Sequence, residues 1–386
     1  MKLLRLSLVV VLPLFCACKQ TTQVCKPPVA VVSNILSGAE AELASVLSLY
    51  DKTSSEGDIT IIDSPERAAQ LSEVMLDSDR FDNIDGSRSS DNLPDFAGER
   101  IVALMDIARD NYAQMDSMSL RDIAVRSTVA ALDTRCCVSS YDTEYLSSKP
   151  TSKVVIISSP EIQAAGAYDI DTLMNATGVE LPVIMPLRLM LSRSYGKGAR
   201  NIGIITDGMS SISGAYDSIC NEIAPAGSVH DCYVVSTDDL MGTDVLLEFL
   251  QSYKDAGNTA ALDVLLIDTF HYTVDLLREE YTAILLDDNQ ENVGVRPLIS
   301  KDFEFYSTAS TVADECYALM RKRNIFTHDI HYPTASAYLT NPEMFQYALM
   351  SFDWNALPSG LESDLMNAAP QTYSAYVQNQ HISGGN

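Results

Sequence analysis

Tryptophan is nearly absent from this chain, which has Trp354 alone, and basic residues are scarce. In 386 residues, 26 Lys plus Arg stand against 52 Asp plus Glu, a formal charge of −26. So acidic a surface repels phosphate backbones and anionic headgroups, which argues against nucleic acid or an anionic membrane surface as a partner. The sequence also lacks a Gly-x-Ser-x-Gly elbow and a Gly-x4-Gly-Lys-Ser/Thr loop. Neither a nucleophile turn nor a phosphate cradle is therefore written in it. Metal-type side chains crowd together once, as His328, Asp329 and His331 in "THDIHYP". No closed set of four ligands is visible there, and the segment reads as a surface loop ahead of a strand. Neither a metal nor a cofactor is expected.

What is present starts with Met1-Lys2-Leu3-Leu4-Arg5, a short positive stretch, followed by an apolar run from Leu6 to Phe15. That run has the length of an export signal and is too short to span a bilayer as a helix. Ala17 then precedes Cys18, an arrangement that resembles the bacterial lipobox. The resemblance implies a lipoprotein signal peptide over 1–17, diacylation of Cys18 and a membrane anchor of lipid alone. Residues 18–28 would be a tether, and the expected location is the bacterial cell envelope. Six further cysteines follow, Cys25, Cys136, Cys137, Cys220, Cys232 and Cys316, an even number that permits disulfides in an exported chain. Cys220 and Cys232 flank one helix-to-strand turn, "CNEIAPAGSVHDC", and are the expected pair.

Beyond the tether, short β-branched runs alternate with stretches of helical spacing. The strand candidates are "VAVVSN" at 29, "DITIIDS" at 58, "KVVIISS" at 153, "LPVIMP" at 181, "NIGIITD" at 201, "DCYVVST" at 231, "DVLLIDT" at 263, "VRPLIS" at 295 and "PTASAYLT" at 333. Their apolar residues are consecutive, as in strands covered by helices on both faces. The expected class is α/β, two Rossmann-like lobes with parallel sheets flanked by helices. The expected division is a lobe over 29–190, a second over 191–355 and a tail over 356–386. An Asp-, Ser- and Gly-rich stretch at 78–98, followed by helical pieces near 99–114 and 119–132, reads as an insertion over 78–140.

Ligands of open α/β sheets sit beyond the carboxyl ends of the strands. The residues there include Asn34, Asp63, Ser159, Glu161, Arg188, Asp207, Thr237, Asp268 and His271. Several are ordinary helix caps by type, but together they form a polar, hydroxyl-rich set suited to a small polar ligand. Arg188 is the candidate partner of an anionic group.

With its lipobox-like start and two sets of βα units, the chain resembles the type 1 periplasmic-binding-protein fold. The similarity spans about residues 29 to 340, and "NIGIITDGMSSISGAYDSICNEI" is similar to the strand and helix that open that family's second lobe. The resemblance implies a non-catalytic solute-binding protein that holds a small molecule between hinged lobes and serves an envelope transporter or sensor. Two other functions stay open: an envelope hydrolase using Asp268 and His271, and a ligandless interaction module acting through 78–140. Amino-acid racemases with paired cysteines place their thiols at strand carboxyl ends. Here Cys232 begins its strand, Cys136 and Cys137 precede theirs, and Cys220 and Cys316 fall on helices, so that chemistry is not expected.

Overall fold

The computed structural model describes residues 26–352 apart from 108, 110, 139–143, 226–230, 330 and 341–348. Helices α1 (Ala30–Ser37) and α2 (Ala41–Leu47) precede β1 (Asp58–Asp63), α3 (Pro65–Leu76), β2 (Arg100–Met105) and α4 (Ser117–Leu132). A two-stranded antiparallel pair, β3 (Arg135–Cys136) and β4 (Ser147–Ser148), leads to β5 (Ser152–Ile157), α5 (Pro160–Thr177), β6 (Val183–Ile184) and α6 (Pro186–Gly196). The second set comprises β7 (Asn201–Thr206), α7 (Ala215–Ile223), β8 (Asp231–Ser236), α8 (Val245–Asp255), β9 (Leu262–Asp268) and α9 (Val274–Leu286). It ends with α10 (Gln290–Val295), β10 (Ile299–Ser307) and α11 (Thr308–Arg323), after which β11 (Thr334–Thr340) and β12 (Leu349–Phe352) follow.

The strands form two parallel sheets flanked by helices. The first has the order β12-β11-β2-β1-β5-β6 and the second β10-β9-β7-β8; only β12 runs antiparallel to its neighbour. Side-chain alternation along each strand divides the core between the two faces. In the first sheet Ile62, Leu104 and Ile157 face α1, α4 and α5, while Ile61, Met105 and Ile156 face α3 and α11. In the second, Ile205, Leu265 and Ile267 meet α8 and α9, and Ile204, Val264 and Leu266 meet α6 and α7. Helices α4 and α5 pack closely enough that a Cβ on Gly166 would come within 2.1 Å of the Ala124 Cβ. The pair is also tied by a buried ion pair, Arg121 with Asp169, whose Oδ1 accepts the Val29 amide at 2.7 Å. Among the described residues, no single helix is long and apolar enough to cross a membrane.

Several elements differ from the sequence expectation. "VAVVSN" lies in helix α1, which buries Val31, Val32 and Ile35 and ends at Gly38 with φ of 80°. A short continuous apolar run carries no periodicity to separate helix from strand, and tertiary burial decides the outcome. Residues 100–105, expected as helix, form β2, an inner strand of the first sheet between β11 and β1. The 78–140 stretch therefore contains a sheet strand and the core helix α4. Its loop part is knitted by aspartates: Asp95 accepts from Ser78, Arg80 and Phe81, and Asp79 from Ser90, Asp91 and Asn92. The strand at 334–340 returns to the first sheet beside β2.

Candidate functional site

Parallel pairing brings the carboxyl ends of both sheets to one region. Asp63 ends β1, Asp207 follows β7, and Asp268 ends β9 in register with Thr206. Between them lies Arg67, on the first turn of α3 and 8% exposed. Its position four residues after Asp63 turns the guanidinium back over the strand end. Nε donates to Asp63 Oδ2 at 3.3 Å, and Nη1 donates to Asp207 Oδ2 at 3.1 Å and the Asp268 carbonyl at 3.0 Å. Nη2 completes the fork on Asp268 Oδ1 at 2.9 Å. One cation thus joins three carboxylates from two sheets.

The carboxylates are held from behind. Asp63 accepts the Ser158 hydroxyl at 2.6 Å and the Ser64 amide at 2.7 Å. Asp268, fully buried, accepts Tyr216 at 2.6 Å and the Thr308 hydroxyl. Burial drives the Asp63 carboxyl up to about 6, although Arg67 and Ser158 pull it down. Burial lowers the Arg67 guanidinium's proton affinity, but Asp268, Asp63 and Asp207 outweigh it and raise the value well above its usual range. Burial likewise raises Asp207, opposed by Arg67, Thr269 and His271.

Asp207 differs from its partners in one respect. Its Oδ1 is buried with no close hydrogen bond, and the half-exposed His271 ring presents Nε2 at 3.8 Å. Glu161, 5% exposed, receives Ser159 Oγ on Oε2 at 2.9 Å and leaves a buried Oε1 unpartnered. Its charge contributes to raising Asp63, which places it in the same acidic cluster. Asp63, Glu161, Asp207 and Asp268 outnumber Arg67, so the cluster carries excess negative charge.

The structure thus brings together Asp63, Asp207, Asp268, His271 and Glu161. Ser159 caps α5, accepting the Ile162 amide at 3.2 Å. Asn34 sits on α1 and reaches Glu40 at 3.4 Å, because its segment is helical rather than a strand end. Thr237 lies in a short turn after β8, beyond the Arg67 network. Arg188 forks onto Glu222, at 3.0 Å through Nη1. Sequence reasoning missed Arg67, Tyr216 and Thr308; the Asp63-to-Arg67 spacing in "DSPER" was the available signal. Cys220 and Cys232 are disulfide-bonded. The other described cysteines, Cys136, Cys137 and Cys316, are buried. Cys18 lies outside the described residues. His328, Asp329 and His331 occupy the connection between α11 and β11, and among the described residues no group of three or more His, Cys, Asp or Glu side chains is placed to hold a metal ion.

No protein-family model matches the chain. No curated protein matches it either. Solved structures with a similar fold include glutamate racemases from Francisella tularensis (15% identity, TM-score 0.44) and Bacillus anthracis (14%, 0.45), each match covering 74% of this chain and 89% of the other. An aspartate racemase from Picrophilus torridus matches at 9% identity and a TM-score of 0.33, covering 70% of this chain and 99% of the other.

These neighbours correct the sequence expectation. They are racemases, not type 1 periplasmic binding proteins, so the family resemblance is withdrawn. With it go the non-catalytic solute-binding role and the lipoprotein-receptor description built on it. In the structure Asp63 and Asp268, expected among the ligand contacts, pair with Arg67, and Arg188, expected to meet an anion, pairs with Glu222. Order and rhythm of βα units do not distinguish sheet topologies. The hydrolase alternative fails too: Asp268 is buried under Arg67, Tyr216 and Thr308, and its carboxylate does not pair with His271.

Proposed function

We propose that the chain is an acid–base enzyme that moves a proton on a small polar substrate held between the carboxyl ends of its two sheets. The observation that carries this reading is the Asp207 carboxyl, raised by burial, with the Thr269 side chain beside it and Oδ1 3.8 Å from His271 Nε2. A carboxyl raised by burial holds a proton nearer neutral pH, where a general acid or base works best. Asp207 is the proton carrier in this reading. His271, on the exposed side, exchanges that proton with solvent. Arg67 touches no reacting atom and acts as a positioning residue, because its fork fixes Asp207 relative to Asp268.

Direct proton transfer fits better than covalent catalysis. Ser158 is committed to Asp63, and the thiols of Cys136, Cys137 and Cys316 are buried away from the cluster. The carboxyl ends of β5 and β9 carry Ser158 and Thr269 instead of thiols. Excess negative charge, with Glu161 Oε1 unpartnered, suits a substrate bearing an amine. The cell envelope belongs to the same proposal, since disulfides such as Cys220–Cys232 persist in oxidising compartments.

The test is hydrogen exchange in D2O, followed by proton NMR on a panel of small amine-bearing carboxylic acids. Wild-type protein should replace a carbon-bound proton in at least one of them. Asp207→Asn and His271→Ala should each slow that exchange by ~100-fold or more. Equal exchange in both variants, or no exchange with any compound, overturns the reading.

A further inference from the structure

Charge at the strand ends is unbalanced beyond the three carboxylates that Arg67 joins. Asp106 follows β2 and is fully buried, and its amide donates to the Asp63 carbonyl at 3.0 Å. Arg109 holds this carboxylate through Nη2 at 3.0 Å and Nε at 3.1 Å, and Tyr112 and Thr340 donate their hydroxyls to it at 3.0 and 2.9 Å. In the first turn of α6, Arg188 forks onto Glu222. All three arginines are thus committed to protein carboxylates. Asp63, Asp106, Glu161, Asp207 and Asp268 stand against the guanidiniums of Arg67 and Arg109 and the half-exposed imidazole of His271.

Glu161 is the carboxylate that the fold leaves unanswered. It lies in the first turn of α5, two residues after the Ser159 cap, at the carboxyl end of β5 and near enough to Asp63 to raise it. Oε2 accepts the Ser159 hydroxyl at 2.9 Å, while Oε1 is buried without a partner. Gln163, two residues on, directs its amide Nε2 to the Ser158 carbonyl at 3.0 Å instead. A buried acceptor left without a donor is costly. An ammonium group supplies the donor and the opposite charge together. A metal ion is the poorer match, because among the described residues no three His, Cys, Asp or Glu side chains are placed to hold one.

We infer that the substrate is a cationic amino acid, with a second ammonium on its side chain, and that Glu161 Oε1 receives this group. The inference rests on the acid–base reading above for where the substrate lies. The α-ammonium and α-carboxylate of any amino acid cancel, so a neutral side chain leaves the excess negative charge untouched. A side-chain ammonium offsets it. A side-chain carboxylate adds to it and meets arginines that are already paired. Glu161 thereby sets specificity, while Asp207 carries the proton.

Calorimetric titration of the full chain with L-ornithine, L-norvaline and L-glutamate tests this, since the three share their α-carbon groups. Ornithine should bind more tightly than norvaline by about tenfold or more, and glutamate should bind more weakly than either. Glu161→Gln keeps the size and an oxygen for Ser159, and should bring ornithine down to the level of norvaline. The inference is overturned if ornithine and norvaline bind equally, if glutamate binds best, or if none binds at millimolar concentration. A preference for ornithine that survives in Glu161→Gln also overturns it, by assigning the preference to the acidity of the chain as a whole. The wild-type comparison decides the substrate class without any variant, and the melting temperature of Glu161→Gln separates lost binding from lost folding. Binding is read without turnover. Hydrogen exchange as fast on norvaline as on ornithine therefore overturns this inference alone, whereas an intact binding preference without exchange supports it and overturns only the acid–base reading.

Discussion

Arg67 grips Asp268 twice, through the side chain at 2.9 Å and the main-chain carbonyl at 3.0 Å, although Arg67 sits on α3 beside the first sheet and Asp268 ends a strand of the second, 201 positions away. The same guanidinium also holds Asp63 and Asp207. It is therefore the electrostatic pin between the two sheets, and without it two fully buried carboxylates lose the only cation that pairs with them among the described residues.

Arg67→Met should accordingly destabilise the protein by about 3–5 kcal/mol, the usual cost of removing one partner of a buried ion pair. Urea unfolding at pH 7 measures it. Arg67→Lys should recover only part of the loss, because a point charge cannot fork across three carboxylates. Full recovery by Lys would show that charge alone matters there and geometry does not.

Asp63 predicts an unusual pH dependence. Its folded carboxyl is raised to about 6 by burial, while in the unfolded chain it takes the ordinary aspartate value of 3.8. The folded state thus binds the proton more tightly. The contribution of this group is fully present below pH ~4 and is lost as pH rises through about 6. Asp58, also raised to about 6 by burial against the pull of Arg100, acts in the same direction. Asp63→Asn should flatten the profile between pH 4 and 6, changing the wild-type-minus-variant stability by up to ~3 kcal/mol across that window. A constant difference across the window would refute the raised value.

How much of this was legible depended on what each segment packs against. Runs such as "DITIID" and "DVLLID" announce buried parallel strands because their interior residues are aliphatic or β-branched, whatever their partners. "RIVALM" is equally apolar, but polar residues around it allow a helical reading, and only its place between β1 and β11 settles the matter. At the site, strand-end reasoning found Asp63, Asp207 and Asp268 because parallel register places all strand ends together. It missed Arg67 because a helix residue reaches the strand ends only through its side chain. Arg188 looked like the functional cation, but its partner Glu222 lies 34 residues away and is invisible to local spacing.

The contact between α4 and α5 gives a packing test. A methyl at Gly166 would sit 2.1 Å from the Ala124 Cβ, which neither helix can accept without moving apart. Gly166→Ala should cost about 1–3 kcal/mol, as overpacking of a tight core does. Ala124→Gly made in the Gly166→Ala background should restore part of that loss, whereas alone it destabilises by leaving a void and adding backbone freedom. Additive losses in the double variant would mean that the two helices already have room at this crossing.

The Cys220–Cys232 bond ties the end of α7 to the start of β8 across a sequence separation of 12. Closing a loop of that length restricts the unfolded chain and should contribute on the order of 3 kcal/mol. The paired change Cys220→Ser with Cys232→Ser should lower stability by about 2–4 kcal/mol, read from urea unfolding of the two proteins. Reductant should reproduce the loss in the wild type and leave the paired variant unaffected. Cys136, Cys137 and Cys316 are buried, and burial raises Cys136 and Cys316 in particular, so neither is expected to exchange with the bond while the fold is intact. A reductant response that persists in the paired variant would assign the redox sensitivity to another cysteine pair.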